Sequence, residues 1–211
     1  LFNEIKGRIK LDDESLAYRD QKYEYWTKTT ANGNYSIKLR KKIGTKNIEE
    51  IWNGDKEKEK LNTEYFGIGD IEVSFNDKYL GYSLDIKGSE YYTIYLRNIS
   101  TNKLITEKIE DTSGGITFSL DDKYFFYSKL DKNHRPRKIL RHKIGTSPKN
   151  DKLIFEEKSE AFTVEIGLSS DEKYFFITSS DHNTSEQYYF SVNEKIPKPK
   201  LIKKRKNGIL Y

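Results

Sequence analysis

Short segments of alternating apolar and polar residues, separated by turn residues, dominate the chain from position 23 onward. Residues 23–27 form a candidate strand, residues 31–34 place Asn-Gly at the centre of a turn, and residues 35–40 alternate as a return strand. A further short strand ends at residues 51–54. This period of two predicts antiparallel strands rather than helices.

The start of the chain has a different period. Leu1, Ile5 and Ile9 recur every four residues, and Glu4 with Arg8 forms an i,i+4 charge pair. We predict a short helix here and no other helix in the chain. Residues 10–20 lack periodicity, so residues 1–20 are predicted to be an N-terminal helix followed by an irregular linker.

A strand–turn–strand pattern then recurs three times, in residues 71–83, 116–128 and 164–178. Each copy has a turn rich in Asn, Ser and Asp, followed by Lys-Tyr and a more apolar strand. The tyrosines of these pairs are Tyr79, Tyr124 and Tyr174, which lie 45 and 50 residues apart. Two more predicted strands follow each copy: residues 91–98 and 103–109, then 138–143 and 152–157, then 187–192 and 200–204.

Four antiparallel strands repeating every 40–50 residues or so are typical of a β-propeller blade. We therefore predict an all-β fold: a partial β-propeller of about three to four four-stranded antiparallel blades, with a short N-terminal helix. The incomplete propeller spans residues 21–211, with blades at about residues 21–60, 69–110, 114–158 and 162–205. The side chains predicted to be buried between blades are Val73, Phe75, Phe118, Leu120, Phe125 and Phe175.

Composition and charge narrow the class of protein. The hydrophobic fraction of 35% is low, but 16 Tyr and 11 Phe favour a folded chain, because disordered chains are poor in aromatic residues. Cysteine is absent, which excludes disulfides and thiolate metal sites and fits a reducing compartment, so we expect a cytoplasmic protein. No apolar run approaches the roughly 20 residues of a membrane span. The net charge is +5 with both signs interspersed, which disfavours nucleic-acid binding.

Candidate catalytic residues are few. The nucleophile motif G-x-S-x-G does not occur, and its nearest approach, Gly81 to Asp85, places Ser83 within a repeated strand. The histidines His134, His142 and His182 lack the spacing of metal ligands. We therefore predict no catalytic residue, no metal site and no cofactor within this chain.

Charged clusters also have structural interpretations. Asp121-Asp122 and Ser170-Asp171-Glu172 recur at one place in their repeats, which favours turn hydrogen bonding over acid–base catalysis. In residues 195–207, seven of 13 residues are basic and none is acidic. A phosphate-binding patch would use such a run, but its two prolines and its apolar pair favour a loop and a lysine-rich sheet edge.

One stretch carries a specific resemblance. Residues 141–157, Arg-His-Lys-Ile-Gly-Thr followed by Asp-Lys-Leu-Ile-Phe-Glu-Glu, resemble the propeller of the oligopeptidase B (protease II) group of the prolyl oligopeptidase family of serine peptidases. Similar residues also occur at 5–8, 18–19 and 23–26, so that the resemblance runs from Leu1 to residues 203–207.

The resemblance implies a two-domain enzyme in which a seven-bladed propeller caps an α/β-hydrolase domain and admits only short peptides. It implies cleavage after Lys or Arg by a Ser-Asp-His triad located in the hydrolase domain, so no triad position is carried over to this chain. The expected partners are that hydrolase domain and short basic peptides. The alternative is a stand-alone scaffold that binds a peptide or protein on its blades, and a downstream G-x-S-x-G segment would distinguish the enzyme from the scaffold.

Overall fold

The computed structural model describes residues 1–105 and 108–211, and its secondary structure is almost entirely antiparallel β-sheet. The chain forms two compact units, residues 1–64 and residues 65–211. The predicted all-β propeller fold with a short N-terminal helix is therefore confirmed.

The first unit contains one twisted sheet and two short helices. Its elements are α1 (Phe2–Gly7), β1 (Asp13–Glu14), β2 (Tyr18–Asp20), β3 (Tyr23–Thr29), β4 (Ile37–Lys42), β5 (Ile48–Asn53) and α2 (Gly54–Leu61). The strand order is β1-β3-β4-β5, and β2 also pairs with β3. The main buried side chains are Tyr25, Trp26, Ile51 and Trp52.

Two predictions for this unit were wrong. The predicted linker contains β1 and β2, which are short, wholly exposed strands held by pairing with β3. The helix α2 was missed because its sequence has no apolar stripe. It is stabilised at its ends instead: the Asn53 side chain accepts a hydrogen bond from the Lys56 N–H at 3.2 Å, and Asn62 closes the helix in the left-handed conformation at φ 47°.

The second unit contains three successive four-stranded blades. The second blade of the chain comprises β6 (Gly67–Val73), β7 (Tyr79–Asp85), β8 (Tyr92–Asn98) and β9 (Ile109–Thr112). The third comprises β10 (Thr117–Phe118), β11 (Tyr124–Leu130), β12 (Pro136–Lys143) and β13 (Lys152–Glu156), with a 3₁₀ turn at Pro148–Asn150. The fourth comprises β14 (Thr163–Leu168), β15 (Tyr174–Ser180), β16 (Ser185–Ser191) and β17 (Lys200–Lys203).

The strands within these blades pair in sequence order, as in a propeller. Pairing of Thr112 with Lys129 joins β9 to β11, so the second and third blades form one continuous eight-stranded sheet. Of the fourth strand predicted at residues 103–109, Thr106 and Glu107 lie outside the described residues. Leu104 forms a single bridge with Arg97, and β9 begins only at Ile109.

The repeated turn has one geometry in all three blades. The residue before Lys-Tyr is left-handed in each copy: Asp77 at φ 58°, Asp122 at φ 52° and Glu172 at φ 57°. A serine hydroxyl accepts the tyrosine N–H in each copy, at 3.0–3.1 Å, in the pairs Ser74 with Tyr79, Ser119 with Tyr124 and Ser169 with Tyr174. Local hydrogen bonding of this kind accounts for the preference for Ser, Asn and Asp at these positions.

The apolar core lies between blades. Phe118 and Phe125 pack with side chains of the second blade, and Phe175 packs with Phe126 of the third. These three predicted core residues are at most 2% exposed. Val73, Phe75 and Leu120 are only half-buried, because they lie at the end of a strand or within the turn that follows it.

Candidate functional site

Ser83, the serine closest to a nucleophile motif, is a packed side chain. It lies in β7 with no exposed surface, and within the described residues its Oγ has no hydrogen-bond partner. Gly69 and Gly114 leave room for this hydroxyl. A Cβ atom added at Gly69 would lie 2.5 Å from the Ser83 Oγ, and one added at Gly114 would lie 3.1 Å from it. A general base and a substrate must both reach a nucleophile, and neither can reach this oxygen.

The three histidines lie in different environments. His134 is exposed in the turn between β11 and β12, with its ring 3.9 Å from the Tyr91 ring, and His182 is exposed in the turn between β15 and β16. His142 is fully buried in β12. Among residues 1–105 and 108–211, no group of three or more His, Cys, Asp or Glu side chains is arranged to hold a metal ion.

His142 belongs to a buried polar network. Its Nδ1 lies 2.8 Å from one carboxylate oxygen of Asp151, and the Tyr127 hydroxyl donates to the other at 2.8 Å. The His142 and Asp151 side chains are 0% and 2% exposed. Burial is the largest cause of the raised pKa of the Tyr127 hydroxyl, and the adjacent negative charge of Asp151 is the second largest. The network ties β11 and β12 to the turn before β13, and it has no access to solvent for catalysis.

The repeated carboxylates mainly stabilise turns. Asp121 accepts a hydrogen bond from the Ser119 hydroxyl at 2.8 Å, and Asp171 accepts the equivalent bond from Ser169 at 2.7 Å. The hydrogen bond from Ser169 is the largest cause of the lowered pKa of the Asp171 carboxyl. These contacts are those expected of turn residues.

Asp122 has a second role that the sequence did not indicate. Its carboxylate accepts the Ser74 hydroxyl at 2.6 Å and the Asn76 N–H at 3.2 Å, so it links the third blade to the second. In the same interface, Asp70 accepts the Ile116 N–H at 3.0 Å. A hydrogen bond to a charged acceptor is stronger than one between neutral groups. The bonds to Asp122 and Asp70 therefore hold the second and third blades together.

The basic residues of the segment 195–207 lie in two different environments. Residues 200–203 form the exposed strand β17, whereas the Arg205 guanidinium lies over the Phe162 ring at 3.9 Å. Its Nη2 is 2.5 Å from a carboxylate oxygen of both Glu157 and Glu186, whose side chains are 5% and 6% exposed. Arg205 is thus the shared cation of a buried cluster rather than part of a surface patch, a role that sequence reasoning missed.

The electrostatics of this cluster follow from its geometry. Burial opposes the ionisation of Glu186, but the hydrogen bonds from Arg205 outweigh it and lower the pKa to about 2. Burial likewise opposes ionisation of Glu157, and the bonds from Ser179, the Ser159 N–H and Arg205 lower its pKa. The bond to Glu186 is the largest cause of the raised pKa of Arg205. All three groups are therefore charged at neutral pH.

Two further findings concern the chain as a whole. No helix in the described residues is long and apolar enough to cross a membrane. The polar clusters above connect strands or blades, and none combines an accessible nucleophile, a base and an oxyanion donor.

Known proteins are similar to this chain along its whole length. It is 27% identical over 201 residues to dipeptidyl aminopeptidase BI of Pseudoxanthomonas mexicana, covering 88% of this chain and 28% of that protein. It is 25% identical to protease 2 of Moraxella lacunata over 218 residues, covering 100% of this chain and 31% of that protein. The chain thus spans less than a third of the length of these two relatives.

Solved structures show the same fold. Oligopeptidase B from Leishmania major superposes with a TM-score of 0.91 at 23% identity, over 98% of this chain and 30% of that one. Oligopeptidase B from Trypanosoma brucei gives a TM-score of 0.88 at 24% identity. Residues 1–211 match the family described as prolyl oligopeptidase, N-terminal beta-propeller domain. This chain belongs to that family of propeller domains.

Proposed function

We propose that these residues form the first blades of a propeller that caps the active site of an oligopeptidase B-like serine peptidase, and that the intact enzyme hydrolyses short peptides after Lys or Arg. The observation that carries the proposal is the family match over residues 1–211. The similarity to protease 2 over the whole chain favours the oligopeptidase B group within the family.

The role of this part is steric. A cap excludes folded proteins only if its blades keep their spacing, and the carboxylate bonds made by Asp70 and Asp122 support that rigidity between the second and third blades. The nucleophile, base and oxyanion donors of acyl transfer belong to a hydrolase domain outside residues 1–211, which is the partner of this propeller. The lack of cysteine accords with a cytoplasmic location, which is part of the same proposal.

Two measurements test the proposal. The coding sequence that follows residue 211 in the natural gene should contain a G-x-S-x-G segment. The intact protein, purified from its natural source, should cleave benzoyl-Arg and benzoyl-Lys amides, leave benzoyl-Ala amides and folded proteins uncut, and fractionate with the cytoplasm. Equal cleavage of Arg and Ala substrates would refute the proposed specificity. A gene without the G-x-S-x-G segment would refute the proposal that the intact protein is a serine peptidase.

The isolated chain provides a matched control. Residues 1–211 should give no turnover of the same amides, because Ser83, the serine closest to a nucleophile motif, is fully buried and has no base beside it. The Ser83→Ala variant should behave identically. Turnover that co-purifies with the chain and disappears in that variant would place the chemistry in the propeller and contradict the proposal.

A further inference from the structure

A cleft of about 470 Å³ opens between the third and fourth blades. One wall is the turn between β10 and β11, and the other is the segment between β16 and β17, including Val192 and Lys195. Its volume lies within the range of roughly 300–1,000 Å³ of small-molecule sites. The cleft contains none of the residues of the buried His142 network or of the Arg205 ion cluster.

The cleft lies at an interface that lacks a side-chain hydrogen bond present in the preceding interface. Between the second and third blades, Asp122 accepts the Ser74 hydroxyl and closes this end of the interface. The equivalent pair one blade later is Glu172 and Ser119. The Ser119 hydroxyl donates to Asp121 of its own turn, and the described residues place no hydrogen bond between it and Glu172. The bond from Arg141 to the Lys195 carbonyl links the two blades at the cleft instead.

The cations of the cleft, Lys123, Arg141 and Lys195, outnumber its carboxylates, Asp121 and Glu194, by one. Of its two carboxylates, Asp121 accepts Ser119 and pairs with Lys123 at 3.1 Å, and Glu194 accepts the N–H groups of Ser191 and Lys198. Both are thus engaged within their own turns. The cations that remain without a carboxylate partner in the described residues are Arg141 and Lys195.

Arg141 is held in position to receive an anion. Its guanidinium lies 4.4 Å from the centre of the Tyr124 ring, and its Nη1 donates to the Lys195 carbonyl at 2.9 Å. The Nε and Nη2 groups have no acceptor among residues 1–105 and 108–211. A stacked, oriented guanidinium with free donors matches the two oxygens of a carboxylate.

The rest of the lining is apolar. Leu120, Val192 and Pro197 face the cleft, and behind them lie the buried rings of Phe126 and Phe175. An apolar wall beside an oriented cation favours a ligand with an apolar body and one negative group.

We propose that this cleft binds a carboxylate attached to an apolar side chain, in the form of an N-acylated amino acid or the C-terminal residue of a peptide. The carboxylate pairs with Arg141 and Lys195, and the side chain packs against Leu120 and Val192. The inference stands on the cleft itself and does not depend on the proposed peptidase activity.

The test is an NMR titration of the ¹⁵N-labelled chain with N-acetyl-leucine and, separately, with the peptide N-acetyl-Ala-Ala-Leu. Each probe is compared with its C-terminal amide, which keeps the shape and removes the charge. The carboxylates should shift the backbone signals of residues 119–124 and 192–197 saturably, and the amides should bind at least roughly ten-fold more weakly, because a hydrogen bond to a charged group is lost. The tighter of the two acids identifies the source of the carboxylate.

Variants separate the cleft from unspecific binding. Arg141→Gln should weaken both acids by at least roughly ten-fold, while Arg135→Gln, an exposed arginine in the turn between β11 and β12, should leave the affinity unchanged. Lys195→Gln removes the other cation without touching the Tyr124 stack and serves if the first variant unfolds. Equal binding of acid and amide, the absence of shifts in the cleft, or equal losses in Arg141→Gln and Arg135→Gln would overturn the proposal.

Discussion

Replacing Arg205 by methionine leaves two buried carboxylates, Glu157 and Glu186, without their shared cation. Removing one partner of a buried ion pair costs about 3–5 kcal/mol, because the remaining charge is not compensated. The Arg205 side chain is 24% exposed, so water partly relieves the loss and we expect the lower end of that range. The pKa of Glu186, which the Arg205 side chain helps to lower to about 2 against the effect of burial, points in the same direction.

The assay is urea and thermal unfolding followed by circular dichroism. For a unit of this size, about 3 kcal/mol should lower the melting temperature by about 6–12 °C. The matched control is Arg135→Met, which replaces an exposed arginine. This substitution should change the melting temperature by less than about 2 °C. The triple variant Arg205→Met/Glu157→Gln/Glu186→Gln should be more stable than Arg205→Met alone, because it leaves no buried charge.

Acid provides an independent check. The pKa of Glu186 is lower in the folded chain than its ordinary value of 4.5, so its contribution to stability is complete above about pH 4.5 and is lost as the pH falls toward about 2. The stability difference between the wild type and Arg205→Met should therefore shrink from pH 7 to pH 3. A difference below about 1 kcal/mol at pH 7, or one that does not change with pH, would refute the reasoning.

Three other substitutions test the contacts described above, each by the midpoint of urea unfolding. Asp122→Ala should destabilise the chain by about 1–3 kcal/mol through loss of the bonds between blades, whereas Glu172→Ala, at the equivalent exposed position, should have little effect; equal effects would contradict the interface role. Tyr127→Phe should cost about 1–3 kcal/mol because a buried carboxylate loses a donor, and an unchanged midpoint would count against that network. Gly114→Ala, at φ 98°, should cost more than about 1 kcal/mol, while the neighbouring Gly115→Ala, which has open space around its Cβ, should cost less than half as much.

The repeated units were predictable because their signal is local. Apolar alternation and the serine, acidic residue and Lys-Tyr of each turn are recognised within a few residues, and the structure places them in strands and turns as expected. The helix α2 and the strands β1 and β2 were not predictable from periodicity. The helix depends on end capping by Asn53 and Asn62, and the two strands depend on pairing with β3.

The roles of Asp122 and Arg205 could not be deduced from one sequence. Asp122 has the sequence of a turn residue, and its bond to Ser74 arises only because the second blade lies beside it. Arg205 stands among lysines of the same charge, and nothing local distinguishes the cation that turns inward toward Glu157. Side chains that act between distant segments are set by packing, which residue spacing alone does not contain.

The turns around Asp122 and Glu172 share backbone geometry, yet only the aspartate reaches the preceding blade. Glutamate has one more methylene and remains exposed at its position. The same backbone repeat therefore gives a closed interface in one place and a cleft in the next, and the difference depends on individual side chains. If Arg141 binds an anion there as proposed, a site has arisen where a structural bond between blades is missing.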